Sequence, residues 1–249
     1  MTLLETLQSS EWVLYGLSAV LIGMAKSGLV GAATFAIPVM ATIFGAQAST
    51  GIVLPMLITA DIVAVIYYRR DADWRIVAQL LPWTLVGVGV GVFVGDLIPE
   101  EGFRFLLAAV VLLGLGLMAW REFFHRDIVV PRKVWIAAVL GVAAGFATMV
   151  GNAAGPLMIL YLLAMGFQKN QLIGTGAWFF FVVNLMKVPF HVVFWKTISA
   201  ETLLLNVFVV PVVVAGVFLG LWIVKRVPER GYRYFILIST TIISVRLFF

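Results

Sequence analysis

Charged residues are scarce in this chain, at 12% of 249 positions, about half the share expected of a soluble domain. So few charges cannot cover a water-facing surface, which excludes an ordinary soluble enzyme or binding domain. Cysteine is absent, so the sequence has neither disulfides nor a thiolate metal site. The first apolar run follows Glu5 and Glu11 without a basic segment or a small-residue cleavage site, so no cleavable signal peptide is expected.

Long apolar runs take the place of the missing charges. Hydrophobic residues make up 63% of the chain, and several runs reach the roughly 20 residues that a helix needs to cross about 30 Å of hydrocarbon. The clearest are Ala48–Tyr68, Ile76–Gly95, Phe105–Trp120 and Leu203–Val224. They predict an all-α integral membrane protein that crosses the bilayer several times and is surrounded by lipid.

Basic residues outnumber acidic ones, with 17 Lys and Arg against 12 Asp and Glu, but they lie mostly in short loops between the apolar runs. Basic loops at a membrane edge normally set orientation, so no nucleic-acid partner is expected. No loop is long enough to form a soluble domain. The chain is therefore predicted to be a single membrane domain over 1–249.

Two halves of the chain resemble each other. The segment Gly91–Gly95 returns as Gly216–Gly220, 125 positions later, and Thr50 returns as Thr175 at the same distance. Several such matches in the same order indicate a duplication, which is common among membrane transporters.

Each half opens with a glycine-rich break, at about 23–31 and 145–152. We predict repeat 1 over about 11–120, a cytoplasmic loop over about 121–133 and repeat 2 over about 134–249. Each repeat is expected to be a broken or hairpin-like opening helix followed by three long transmembrane helices.

The opening segments, about Glu11–Phe44 and Val134–Met165, are too long for one ordinary crossing. Each is either one long broken helix or two arms folded back at the break. Folding back places 12 basic loop residues on one side and 3 on the other, whereas single crossings give 9 and 6. The sharper asymmetry favours folding back, with both termini outside and the halves inverted. The count leaves open whether the arms cross fully or re-enter.

Folding back places the two breaks at membrane depth, where irregular backbone persists only if it is buried or lines a wet cavity. A helix that begins there directs free N–H groups and partial positive charge at the protein centre, which attracts anions. Pro156 suits the first turn of such a helix, and Asn152 and Ser27 are predicted caps. The alternative is that the break glycines only allow close helix packing.

Three charges lie within apolar runs: Lys26, Asp61 and Lys187. Each costs about 2.5–3.5 kcal/mol at a helix centre, which points to a role. Lys26 is either the counter-charge of an anion or the partner of Asp61, and Asp61 either carries a coupling proton or pairs with a lysine. Lys187 shares a helix face with Asn184 or extends towards an interface. His191 is expected to be structural.

The motifs of both halves resemble those of the TauE/SafE sulfite exporter family. In the first half they are Lys26-Ser27-Gly28, Pro38, Leu54-Pro55, Asp61 and Asp73-Trp74. In the second they are Asn152-Ala153-Ala154-Gly155-Pro156, Tyr161-Leu162-Leu163, Gly174-Thr175-Gly176-Ala177-Trp178-Phe179-Phe180 and Asn184-Leu185-Met186-Lys187-Val188-Pro189-Phe190. The resemblance implies a multi-pass protein of the bacterial inner membrane that exports or exchanges sulfite, thiosulfate or a small organosulfonate or carboxylate.

The sequence thus predicts a secondary transporter that binds a small anion between the two breaks. The predicted substrate-binding residues are Lys26, Ser27, Gly28, Gly31, Gly151, Asn152, Gly155, Thr175, Asn184 and Lys187. Asp61 is the predicted coupling residue, for a proton. No catalytic residue, metal or cofactor is expected, and an oligomer is compatible with the sequence.

Two other functions fit the sequence less well. A passive anion channel would use the same site without coupling. An intramembrane hydrolase would need Ser27 and His191 as nucleophile and base, but no Gly-x-Ser-x-Gly surrounds the serine. The identity of the anion, the direction of transport and the coupling ion are not specified by these patterns.

Overall fold

The computed structural model describes residues 7–29, 31–124, 134–226 and 228. Within these ranges the chain forms nine α-helices and no strand, as predicted. They are α1 (Ser9–Lys26), α2 (Gly31–Phe44), α3 (Ala46–Tyr68), α4 (Trp74–Leu97), α5 (Glu100–Phe124), α6 (Val134–Gly151), α7 (Gly155–Ala164), α8 (Lys169–Pro189) and α9 (Ala200–Arg226). A π-helical turn, Phe190–Phe194, extends α8. Of the loop predicted over about 121–133, residues 121–124 belong to α5, and 125–133 lie outside the described residues, as does the last predicted helix, after 228.

Among the described residues, five helices are long and apolar enough to cross a membrane, by length and composition. They are Ala46–Tyr68, Trp74–Leu97, Val134–Gly151, Lys169–Phe194 and Ala200–Arg226. Large apolar side chains such as Phe93, Phe105 and Trp222 face outwards and are mostly exposed. Helices suit this setting because their backbone hydrogen bonds are satisfied within each segment. The predicted multi-pass membrane architecture is confirmed at this level.

The opening segment of the first half folds back on itself. Tyr15, near the start of α1, packs edge-to-face on Phe44, the last residue of α2, with ring centroids 5.6 Å apart. The chain reverses just after Lys26, where Gly28 has a φ of +118°. Glycine adopts this conformation without the steric cost that a Cβ would add. The two arms α1 and α2 are therefore antiparallel.

The opening segment of the second half reverses in the same manner. Leu140 of α6 and Tyr161 of α7 line one small cavity, as do Ala144 and Leu157 closer to the break. The reversal occurs at Asn152, whose φ is +51°, a left-handed conformation that asparagine tolerates better than most residues.

The ends of the helices define two faces of the molecule. Leu7, Phe44, Glu100 and Thr197 line one cavity, and we call this the Leu7 end. At the opposite face, which we call the Tyr68 end, Gly174 lies against Tyr68 and Asp71. The Lys169 ammonium donates to the Val224 carbonyl at the same face. Consequently α3 begins at the Leu7 end, whereas α8 begins at the Tyr68 end.

The first arm of each half packs on a long helix of the other half. On α9, Gly216 lies against the Val20 backbone and Gly220 against Met24 of α1. On α4, Gly87 lies against the Val142 backbone of α6. A Cβ at any of these glycines would collide with the facing helix, so small residues are what allow the backbones to approach.

Close helix packing accounts for two of the three glycines Gly87, Gly89 and Gly91 of α4. Gly87 and Gly91 face α6, and an added Cβ at Gly91 would approach Met149 to 2.9 Å. Gly89 has nothing within 4 Å of an added Cβ, so close packing does not account for it.

Candidate functional site

A cavity of about 80 Å³ lies between the two breaks. Its polar wall residues are Lys26, Thr148, Asn152 and Asn184, and the rest of the wall is largely apolar. A buried water needs about 10–15 Å³ by this measure, so the space holds about five to eight water-sized groups. The wall follows α8 from Asn184 to Leu172, so the cavity extends towards the Tyr68 end.

Lys26, at the end of α1, forms an ion pair across the cavity wall with Asp61 of α3. Its Nζ lies 2.8 Å from Asp61 Oδ1, and the Asp61 side chain is fully buried. The Nδ2 of Asn184 donates to the other carboxylate oxygen, Oδ2, at 2.7 Å. Lys26 Nζ also lies 4.5 Å from the centre of the Phe180 ring, in range for a cation–π interaction. The predicted pairing of Lys26 with Asp61 is present, and its role as the counter-charge of an anion stays a prediction.

Lys187, on α8, is fully buried. Its Nζ donates to the Thr148 carbonyl at 2.7 Å and to Asn152 Oδ1 at 2.6 Å, and Thr148 Oγ1 lies 3.4 Å away. Three oxygens therefore surround an ammonium that has three donors. The alternative in which Lys187 extends to an interface is wrong, because its ammonium points at the second break.

Asn152 connects this lysine to α3, since its Nδ2 donates to the Thr50 carbonyl at 3.1 Å. The predicted caps are wrong. The N-cap of α7 is Ala154, without a side-chain bond, and the Ser27 hydroxyl donates backwards to the Met24 carbonyl. Pro156 does occupy the first turn of α7, and with Gly155 it forms cavity wall. The positive end of α7 thus faces the cavity.

The predicted substrate-binding residues divide by location. Those in the cavity wall are Lys26, Gly28, Asn152, Gly155 and Asn184, and Lys187 lies directly behind Asn152. The roles of these residues stay predictions.

Three other predicted residues lie away from the cavity wall. Ser27 is turned towards Gly220, and Gly151 lies against Leu107. Thr175 lies near the Tyr68 end, where its hydroxyl accepts a bond from the Asp73 backbone N–H at 2.9 Å. The side-chain surroundings of Gly31 lie outside the described part of the chain.

Of the wall residues that were not predicted binders, Thr148 and Phe180 matter most for a ligand, the first because it is polar and the second because its ring lies beside Lys26. A signal for Thr148 was available, because it is the one hydroxyl-bearing residue of Val134–Gly151. A lone polar group beside a break is a candidate for a polar contact at membrane depth. Phe180 had no comparable signal, since 19 phenylalanines are spread along the chain.

The charged groups of the site do not cancel. With Lys26 and Lys187 protonated and Asp61 ionised, their formal charge is +1. In the described residues no cluster of three or more His, Cys, Asp or Glu could hold a metal ion. The arrangement can therefore offset one negative charge of a small ligand by electrostatic contact and hydrogen bonds.

Comparison with known proteins gives one family. A family model described as sulfite exporter TauE/SafE matches residues 15–247. None of the curated proteins and none of the solved structures matches the chain. The family comprises membrane transport proteins for sulfite and related anions, in agreement with the apolar helices and the cationic cavity. Because the match covers nearly the whole length, the chain belongs to the sulfite exporter TauE/SafE family.

Proposed function

We propose that this protein is a secondary transporter that exports a small anion across the cell inner membrane. The observation that carries the proposal is the cavity between the breaks, beside which lie two lysines and, among the described residues, one carboxylate. An uncompensated charge at membrane depth is costly. A bound monoanion offsets it, which gives the empty site an affinity for anions.

The size and donors of the cavity support a sulfur oxoanion or a small organosulfonate or carboxylate. Space for about five to eight water-sized groups suits an ion such as sulfite, and excludes large organic anions. Hydrogen bonds to a charged group contribute about 1.5–3 kcal/mol each. Lys26 and the start of α7 are the donors that face the cavity directly.

The packing of the helices supports two inverted repeats. The arm α1 runs from the Leu7 end to the centre, whereas α6 runs from the Tyr68 end to the centre. Each of these arms packs on a long helix of the other half, α1 on α9 and α6 on α4. Two inverted halves that meet at one site are the design by which transporters rock between inward-open and outward-open states.

The two polar pairs of the site support the same relation. Lys26 and Asn152 are 126 positions apart, as are their respective partners Asp61 and Lys187. Each break residue is thus bonded to a side chain on the long helix of its own half. Corresponding pairs around one cavity are expected if the halves descend from one repeat.

A closed Leu7 end favours a transporter over a channel. Asn152 is bonded to the Thr50 carbonyl, and a Cβ on Gly51 would collide with Thr197. Among the described residues these two contacts lie between the cavity and the Leu7 end, whereas a channel needs a continuous path to both faces. We infer that this structure corresponds to a state open to one side.

The distribution of basic residues in the sequence supports a cytoplasmic Tyr68 end, because the folded-back topology predicts 12 basic loop residues on that side and 3 on the other. The anion then enters from the cytoplasm, as export requires. Single cysteines introduced into this cysteine-free chain test the orientation. On intact cells an impermeant thiol reagent should label Lys196→Cys but not Arg70→Cys, and the reverse pattern would overturn the assignment.

Flux in proteoliposomes tests the function. Sulfite, thiosulfate, small sulfonates and small carboxylates are offered with and without a pH gradient across the membrane. Saturable flux driven by the gradient is expected for at least one of them. Flux that rises linearly with concentration and ignores the pH gradient would instead show a channel. Lys196→Met, which removes a lysine at the Leu7 end, is the control and should transport normally.

A further inference from the structure

One hydrogen-bond acceptor in the cavity wall has no partner. Asn184 is 1% exposed and lines the cavity, and its Nδ2 is bonded to Asp61. Its Oδ1 finds no hydrogen-bond donor among the described residues. A buried acceptor left unpaired costs about 1–3 kcal/mol, so this oxygen favours any ligand that can donate to it.

The orientation of the Asn184 amide is set by its neighbour. Asp61 is ion-paired with Lys26 and, when ionised, has only acceptors. Turning the amide over would place Oδ1 against a carboxylate oxygen, where two acceptors repel each other. The N–H group must therefore face Asp61, which leaves Oδ1 for another donor.

The nearby lysine does not supply that donor. Lys187 lies on the same helix one turn further along, but its ammonium is committed to the Thr148 carbonyl and to Asn152 Oδ1. The partner of Asn184 Oδ1 must come from the contents of the cavity.

We propose that the transported anion carries its own hydrogen-bond donor, a hydroxyl group or a retained acid proton, and that Asn184 Oδ1 accepts from it. This inference rests on the proposed function and narrows its substrate class. The formal charge of +1 at the site selects a monoanion, and the unpaired acceptor selects a hydrogen-bearing one. The anionic oxygens face Lys26, while the donor group faces Asn184.

The class includes hydrogen sulfite and hydroxyalkanesulfonates. An anion of the same size without a donor leaves Asn184 unpaired, and a site built to bond a hydroxyl discriminates strongly against an analogue that lacks it. Asn184 is then a specificity-determining residue, distinct from the lysines that provide the attraction for any anion.

Two matched pairs of anions test the proposal in proteoliposomes at constant pH. Isethionate is compared with propanesulfonate, in which a methyl group replaces the hydroxyl. Hydrogen sulfite is compared with methanesulfinate, at a pH where hydrogen sulfite predominates. For each pair, competition against the transported anion gives the ratio of the two affinities. From the cost of an unpaired acceptor, the donor-bearing member should bind about 5- to 150-fold more tightly.

Variants test whether the ratio of the two affinities depends on Asn184. In Asn184→Leu this ratio should be close to one. The matched control is Asn206→Leu, since Asn206 is also buried and also has an unpartnered Oδ1 but lies outside the cavity wall. It should keep the parental ratio. Because the ratio compares two ligands on one protein, a general loss of folded protein does not change it.

The outcomes separate this inference from the proposed function. Equal affinities within each pair in the parent protein would overturn the inference and leave an anion transporter without this selectivity. A ratio that persists in Asn184→Leu would overturn the assignment to Asn184. Absence of saturable binding for all four anions, together with no flux of any anion tested above, would count against the proposed function itself.

Discussion

The two halves of the molecule supply the site with corresponding pairs of opposite character. In the first half, the cation Lys26 is at the break and is neutralised by Asp61. In the second half, the cation Lys187 is on the long helix and is held by the neutral oxygens of Thr148 and Asn152. Only Lys26 reaches the cavity, with 12% of its side chain exposed.

Because the two lysines have different partners, we expect the two halves to have different roles in anion binding. The second half provides a lysine whose ammonium is held by neutral oxygens and by no direct carboxylate partner among the described residues. Under the proposed function, the first half provides the cation that contacts the anion and a carboxylate that can exchange one partner for another. We propose that an anion bound to Lys26 takes part of the counter-charge from Asp61, which then accepts the coupling proton. Substitutions in each half test whether the two lysines differ in this way.

The largest effect is expected for Lys26→Met, because it leaves Asp61 buried without a cation. Breaking a buried pair on one side costs about 3–5 kcal/mol in the free energy of unfolding. Thermal denaturation in detergent should show a much lower midpoint, or the protein should fail to accumulate. The double variant Lys26→Met/Asp61→Asn removes both charges and should recover most of the stability but not the anion affinity. A single variant as stable as the parent would mean that the ion pair does not stabilise the fold.

The next effect is on coupling, through Asp61→Asn. The amide keeps the shape of the carboxyl group but cannot exchange a proton with the cavity. Flux driven by a pH gradient should be lost, while exchange of anions between the two sides remains measurable. Gradient-driven flux at the parental rate would remove Asp61 from the coupling mechanism and leave it a structural partner of Lys26.

Lys187→Met should lower anion affinity with a smaller effect on stability, because no carboxylate is stranded. Lys187 does not line the cavity, but its loss frees Asn152 Oδ1, which it holds. A weakened hydrogen bond from Asn152 to the anion is worth about 0.5–1.5 kcal/mol, or roughly 2- to 10-fold in affinity. Competition binding measures this, with Lys225→Met, near the Tyr68 end of α9, as the control. An affinity within twofold of the parent would show that Lys187 does not act on the ligand.

The helices and the family could be predicted from the sequence, because apolar runs and motifs are local. The pairing of side chains within the site could not be predicted, since Asp61 and Asn184 are bonded across 123 positions. The misassigned cap shows the reason. Asn152 has the residue type of a cap, but its amide is taken by Lys187 and by the Thr50 carbonyl. Such competition is decided by tertiary neighbours, which local propensity does not contain.

The prediction that Thr175 binds the substrate was also drawn from the sequence, in which Thr175 corresponds to Thr50 in the repeat. However, α3 begins at the Leu7 end and α8 at the Tyr68 end, so corresponding early positions lie on opposite faces. From Thr175 to Asn184 is nine residues, or roughly 13 Å along a helix. The hydroxyl of Thr175 is therefore used for holding the loop before α4 instead.

The smallest effect is accordingly expected for Thr175→Val. The substitution keeps the shape of the side chain but removes the acceptor of the Asp73 N–H, which should cost about 0.5–1.5 kcal/mol of stability. Anion affinity should stay within about twofold of the parent, because the hydroxyl lies outside the cavity wall. Asn152→Leu, measured in the same competition assay, provides the contrast from the cavity and should lose affinity by about tenfold or more. A tenfold loss in Thr175→Val at unchanged stability would instead place the binding site closer to the Tyr68 end, and the cavity between the breaks would then be only part of the path.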